Sequence, residues 1–310
     1  MYKNKPVDGF RNFNGYDRRQ FPDKVIRVTA GAGGEALLIA GSSKTALLDC
    51  GMAYCAEELI ANIKEACLEE NRQLDYILLS HTHYDHIGAL PYVLMEWPEA
   101  VVCGAEYCRK VFNSEGARRK MAELGKVAAE KYTKEPEAPI LVEGLRLDVS
   151  LSDGEKLYLG EEYIVALETK GHTDCSMTYV LEPDGIMFAS ESTGVLESPE
   201  FMHIPILKSY SDSMASIEKC SKYPINHLIS PHYGSVPDFF IREYWEMGRL
   251  GAQEKRDYLY QLHQRKLDFE AILMDYAEKY WNDARGEEQP KEAFMENAGN
   301  IIRAIMKDFD

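Results

Sequence analysis

The sequence predicts an α/β protein in which two successive blocks of strands each lead into a helix, followed by an all-helical C-terminal segment. Three observations carry this. Short β-rich apolar runs separated by Gly and Ser occupy residues 24–50, and a second series begins near residue 140. Each series is followed by apolar residues at helical spacing, at 54–70 and again at 211–222. Beyond Pro237 the strand signals stop.

Taken in order, "VIRVTA", "EALLIA" and "KTALLDCG" read as an opening meander. Leu59, Ile60, Ile63, Ala66 and Cys67 then share one face of a helix, and "LDYILLS" (74–80) is a short buried strand. A helix at about 88–96, the strand "AVVCG" and a long charged helical segment from about 105 to 135 follow. The stretch from 140 to 172 is strand-like, and Pro183, Asp184 and Gly185 supply the turn of a hairpin between two alternating runs. A helix over 211–222 and the strand "HLISPH" at 227–232 close this part. In the tail, Leu262, Phe269, Ile272, Leu273, Tyr276 and Tyr280 fall on one helical face. After a break at 285–290, Phe294, Ala298, Ile301, Ile302, Ile305 and Phe309 do the same. No repeat of solenoid length is found.

A chain of 310 residues with 45% apolar and 11% aromatic residues can build a large core. Its 51 acidic against 35 basic residues, a net charge of −16, disfavour nucleic acid and an anionic membrane as partners. A small-molecule substrate is the expected partner, and a homodimer is compatible with the tail. The N-terminus lacks an apolar h-region and no uncharged apolar run approaches membrane-spanning length, so neither secretion nor spanning is indicated. Seven irregularly spaced cysteines do not form a disulfide framework and fit a reducing cytoplasm, most of them as small buried side chains.

Chemistry concentrates in "SHTHYDH" (80–86), where three of the chain's eight histidines lie. By composition an HxHxDH match is expected on the order of 10⁻⁴ to 10⁻³ times in such a chain, so chance is a poor explanation. The motif directly follows a buried strand. In an extended loop, His81 and His83 can converge on one ion while Asp85 and His86 turn toward a second. His172 in "TKGHTDCS", His232 in "SPHYGS" and Glu191 in "MFASESTG" also stand at strand ends. His203, His227 and His263 have no such context and read as structural or surface residues. The basic run 118–134 could meet a phosphate-bearing carrier, although a solvated helix face is the ordinary reading of such a run.

The order HxHxDH, GHT, an acidic residue after a strand and a final His is similar to that of the metallo-β-lactamase-fold hydrolase superfamily, over residues 24–237. The resemblance implies an αβ/βα four-layer sandwich of two mixed β-sheets with the metal site at one edge. It divides the chain into a catalytic domain, 1–237, and a helical extension, 238–310, that caps the active site or mediates oligomerisation. It implies two divalent metal ions, zinc in the first place, with iron and manganese compatible with the same donors. His81, His83 and His172 would hold one ion, and Asp85, His86 and His232 the other, with Glu191 as the bridge. The departures are Ser190–Glu191 where the family usually has Gly-Asp, and Asp174–Cys175 where a small residue is common. The extra methylene of Glu191 shifts the bridging carboxylate by about one C–C bond, and Glu at a comparable place occurs in the alkyl-sulfatase-like branch. Cys175 reads as a buried thiol or a substrate contact.

The resemblance implies metal-activated hydroxide attacking a thioester of acyl-CoA or acyl-glutathione type, or a lactone or ester, with Asp85 orienting the nucleophile and passing a proton to the leaving group. The flavodiiron branch is disfavoured by His83, where that branch carries Glu, and by the length left for a flavodoxin domain. Phe239, Phe240, Tyr244, Trp245, Tyr258 and Tyr260 are candidates to line an acyl pocket, or to pack the tail onto the sandwich or a second subunit. The alternatives are a regulatory or partner-binding protein that keeps the metal site, and a sulfatase- or phosphoesterase-type hydrolase.

Overall fold

In a computed structural model, which describes residues 13, 16–133, 140–281, 286 and 289–309, two six-stranded mixed sheets lie at the centre with helices on their outer faces. The first sheet has the order β1 (Val25–Arg27), β2 (Leu37–Ala40), β3 (Thr45–Leu48), β4 (Tyr76–Leu78), β5 (Val101–Gly104), β6 (Val149–Ser150). Its first three strands are an antiparallel meander, and from β3 to β6 the pairing is parallel. Parallel strands need crossovers, supplied by α1 (Ala56–Glu69), α2 (Tyr84–Ile87) with α3 (Leu90–Glu96), and α4 (Tyr107–Phe112) with α5 (Glu115–Tyr132).

The second sheet contains β7 (Lys156–Tyr158), β8 (Tyr163–Glu168), β9 (Met177–Glu182) and β10 (Ile186–Phe188). A small ribbon follows, β11 (Val195–Ser198) with β12 (Phe201–His203), and then α6 (Tyr210–Ser221). The sheet is completed by β13 (His227–Ile229), parallel to β10, and β14 (Ser235–Val236). Its central strands are buried on both faces, and the side-chain alternation divides them between two cores. Ile164, Ala166, Met177, Tyr179 and Leu181 join the core shared with the first sheet, whose residues include Leu37, Ile39, Leu48 and Ile77. Val165, Leu167, Val180 and Met187 join the other.

That second core is completed by α6 and by the tail helices α7 (Ile241–Gln264), α8 (Phe269–Tyr280) and α9 (Lys291–Met306). Tyr244, Leu259, Tyr276, Phe294 and Ile301 of the tail share it with Leu196, Ile217 and Leu228. The boundary expected at residue 237 lies between β14 and α7. Arg18 is fully buried and ties the N-terminal segment to the edge of this layer, donating from Nε to the Ser235 carbonyl (3.0 Å) and from Nη1 to that of Leu196 (2.8 Å).

Several local expectations need correction. The motif loop contains the short helix α2, and the strand pattern from 140 produces no strand before Val149. The β11–β12 ribbon and β14 have no counterpart in the sequence pattern, because their few residues show no clear alternation. The helical face traced through 262–280 is interrupted between α7 and α8, where Lys266 has φ 54° and the Asp268 side chain caps Ala271 N. Phe269 at the start of α8 is therefore exposed. The break expected at 285–290 lies largely outside the described residues.

Candidate metal centre

Strand direction explains why distant motifs meet. β8 and β10 are each antiparallel to β9, so they run the same way, and β13 is parallel to β10. Their C-terminal ends therefore open toward one edge, delivering His172, Glu191 and His232. β4 of the other sheet leads directly into His81 at the same place. His83 is the extended residue before α2, and the first turn of that helix carries Asp85 and His86, with the His86 ring 4.2 Å from that of His81.

Two groups of ligand atoms result, each with its members within 4.8 Å of one another: His81, His83 and His172; and Asp85, His86, Glu191 and His232. All seven residues singled out in the sequence are thus brought together. Glu191 touches both groups, with Oε2 3.5 Å from His172 Nε2, and Oε1 2.9 Å from His86 Nε2, 3.3 Å from His232 Nε2 and 3.6 Å from His81 Nε2. The longer Glu side chain spans the gap in place of the usual Asp.

The donor chemistry fits cations. His81 Nδ1 meets Ser80 Oγ at 3.0 Å, while its buried Nε2 has no hydrogen-bond partner among the described residues. An unsatisfied buried nitrogen is costly unless a ligand engages it. His172 donates from Nδ1 to the Pro205 carbonyl at 2.8 Å, and its Nε2 faces His83 Nδ1 at 3.0 Å. Burial lowers the pKa of His81 far below the usual imidazole range and that of His83 to about 3, so both are neutral as ligation requires. At Glu191 burial opposes ionisation, yet His172, His232 and His86 together hold the carboxyl well below its ordinary value.

Supporting residues complete the centre. His86 Nδ1 donates to Asp49 Oδ2 at 2.8 Å, and Asp49 also accepts from Ser80 N and Ser80 Oγ. Sequence reasoning misses Asp49, although "LLDCG" carries a carboxylate straight after a buried strand, the same signal that marks Glu191. Gly34 is required by a close approach, since a Cβ there would lie 2.4 Å from His86 Cε1.

A cleft of about 250 Å³ opens over the ligands, walled by His203, Tyr233 and, from α9, by Ala293, Glu296, Asn297 and Asn300. His203 thus lies closer to the chemistry than its sequence context suggests, whereas His227 is paired with Asp238 at 2.9 Å away from it. Of the two readings for the tail aromatics, the structure has packing onto the sandwich rather than lining of this cleft. Tyr244 and Trp245 are buried in the second core, Phe240 stacks edge-on with Phe13, Phe239 is 66% exposed, and neither Tyr258 nor Tyr260 reaches the cleft.

The family model of the Metallo-beta-lactamase superfamily matches residues 31–232. The chain belongs to this superfamily. Metallo-beta-lactamase-fold proteins are metal-dependent hydrolases and related oxidoreductases, and the two His/Asp/Glu groups have the donor makeup to hold divalent metal. Among curated relatives, the chain is 26% identical over 248 residues to "Coenzyme F420H(2) oxidase" of Methanothermobacter marburgensis, covering 76% of this chain and 51% of that protein. It is 27% identical over 158 residues to "Glyoxylase B2" of Dictyostelium discoideum, 47% of each chain. It is 22% identical over 216 residues to "Atrochrysone carboxyl ACP thioesterase" of Aspergillus fumigatus, 62% of this chain and 57% of that one. The chain spans about half the length of the curated relatives it matches. A metallo-beta-lactamase family protein of Thermus thermophilus has the same fold with a TM-score of 0.62, at 17% identity, over 92% of this chain and 94% of that one. An archaeal superfamily member from Sulfolobus tokodaii gives 0.52 at 20% identity, over 72% and 85%.

All seven cysteines are buried free thiols, and no helix among the described residues is long and apolar enough to cross a membrane.

Proposed function

We propose that this metallo-beta-lactamase-fold protein hydrolyses a thioester, or a lactone or other ester, of a small molecule, in the cytoplasm and with two divalent ions, zinc in the first place. The observation that carries the reading is His81 Nε2, buried without a hydrogen-bond partner among the described residues and grouped with six other donors, five of which line the cleft. His81, His83 and His172 would hold one ion and Asp85, His86 and His232 the other, with Glu191 reaching both. Bound there, divalent ions supply Lewis-acid polarisation of the carbonyl and acidify water toward neutrality.

The chain's own groups do the rest. Asp85, 3.8 Å from His86 Nε2 and 3.9 Å from His232 Nε2, lines the cleft and keeps 19% of its side chain exposed, so it can reach substrate. It takes a proton from the attacking water and delivers it to the departing thiolate as the C–S bond breaks. Asn297 and Asn300 offer hydrogen bonds to the leaving group, and α9 limits water access, which gives the tail a capping role.

Asp85→Ala and His83→Ala should each lower thioester turnover by about 10³-fold or more. Full turnover in both variants would overturn the mechanism. A redox reading draws on the name of the oxidase relative, and oxygen consumption with reduced cofactor is its direct assay; His83 and the all-histidine makeup of the first group favour hydrolysis.

A further inference from the structure

Beside the metal-facing cleft lies a second, more apolar one of about 420 Å³. His83, Tyr84, Lys120, Leu124 and Lys208 line both, so the two are limbs of one channel that turns at His83. Val111 of α4, Ala117 and Met121 of α5 and Cys175 wall the second limb. Its volume lies within the roughly 300–1,000 Å³ typical of sites for small organic ligands. The charges around it run against the character of the chain. Lys110, Lys120 and Lys208 face it with Asp174 as the sole carboxylate among the described residues of its lining, in a protein of net charge −16. Lys120 is engaged by Glu296 at 3.2 Å, Lys110 leans over the Tyr107 ring at 4.9 Å, and Lys208 is exposed at the turn of the channel.

We propose that this limb is the acyl pocket: it takes the apolar acyl chain of an anionic ester or thioester whose carbonyl rests at His83, while Lys208, beside Lys120 where the two limbs meet, attracts the negative charge of the leaving group. The assignment rests on the hydrolase reading for its chemistry. It moves acyl recognition from the helical tail to α4 and α5, and leaves α9 to face the leaving group. Apolar lining selects chain length through the area it removes from water, and the lysines select the carrier by charge.

The test pairs binding with turnover on the full-length, metal-replete protein. Acetyl and octanoyl thioether analogues of coenzyme A are titrated calorimetrically into the wild type, Ala117→Trp, Met121→Trp and, as a surface control, Leu68→Trp on α1. The octanoyl analogue should bind about tenfold or more tightly than the acetyl one, and a Trp inside the limb should erase that ratio while Leu68→Trp keeps it. Met121→Trp serves as a second filling variant, with circular dichroism establishing which variants are folded. The variant Lys208→Ala should weaken the coenzyme A analogue roughly tenfold without weakening the uncharged N-acetylcysteamine thioether. A wild type with no chain-length preference, or a preference that survives in a folded Trp variant, would overturn the pocket. Turnover of the matching thioesters separates the two ideas. Chain-length-dependent binding without hydrolysis of any ester would keep the pocket and reject the hydrolase reading; hydrolysis indifferent to chain length would do the reverse.

Discussion

The two ligand groups differ in what surrounds them. The first is three imidazoles, two of them held neutral by burial, steered from outside by a serine hydroxyl and a backbone carbonyl. The second mixes two imidazoles with two carboxylates and is steered by a third carboxylate, Asp49, through His86. For His86, burial favours the neutral ring, but Asp85, Asp49 and Glu191 outweigh it and push its pKa well above the imidazole norm. Glu191 faces both groups, so Asp85 is the carboxylate that a cation in the second group would meet and one in the first would not. The difference teaches that the two halves of the centre depend on different parts of the chain, and substitutions should separate them.

The largest separation is expected at Gly34. Gly34→Ala would drive a methyl into the His86 ring and displace it, so turnover should fall on the order of 10²-fold or more while the three-histidine group retains its ion. Metal analysis that finds the first ion lost as well would break the comparison. A smaller effect is expected from Asp49→Asn, which keeps a hydrogen-bond acceptor for Ser80 but removes the charge behind His86. Metal affinity of the second group should drop roughly 10–100-fold with the first unchanged. Equal weakening of both ions in a competitive chelator titration would place Asp49 behind the whole loop.

Far from the centre, Lys24 meets Glu162 at 2.9 Å and Asp184 at 3.0 Å. Lys24 holds the Glu162 carboxyl at about 2, below its ordinary 4.5. A carboxylate depressed in the folded state contributes stability that is fully present above 4.5 and lost as pH falls through about 2. Glu162→Gln should therefore cost about 1–2 kcal/mol near neutrality. In denaturant melts the gap between wild type and variant should close on acidification through that window, with no change in turnover per bound metal.

The seven candidate ligands are legible in the sequence because four fall in one short motif that follows a strand and the other three each come soon after a strand. The α/β class and most of the strands are legible from alternation and Gly/Ser punctuation. What escapes depends on tertiary approach. Gly34 and Asp49 act through a ring whose position is set far along the chain, and the apolar limb forms only when α4 and α5 close over the loop after His172. The basic run read as a solvated face is mostly that, with Arg119 and Lys126 exposed, yet Lys120 turns into the channel. Lys134 of that run lies outside the described residues. The aromatic tail residues leave packing and pocket lining open in the sequence because both draw on the same side chains, and in the structure Phe240, Tyr244, Trp245 and Tyr258 pack.

The most direct measurement is metal content per chain, by mass spectrometry of the purified protein after zinc loading, for the wild type, His81→Ala and His86→Ala. Two ions are expected in the wild type and one in each variant. A wild type that binds at most one ion, or variants that still hold two, would contradict the assignment of one ion to each group.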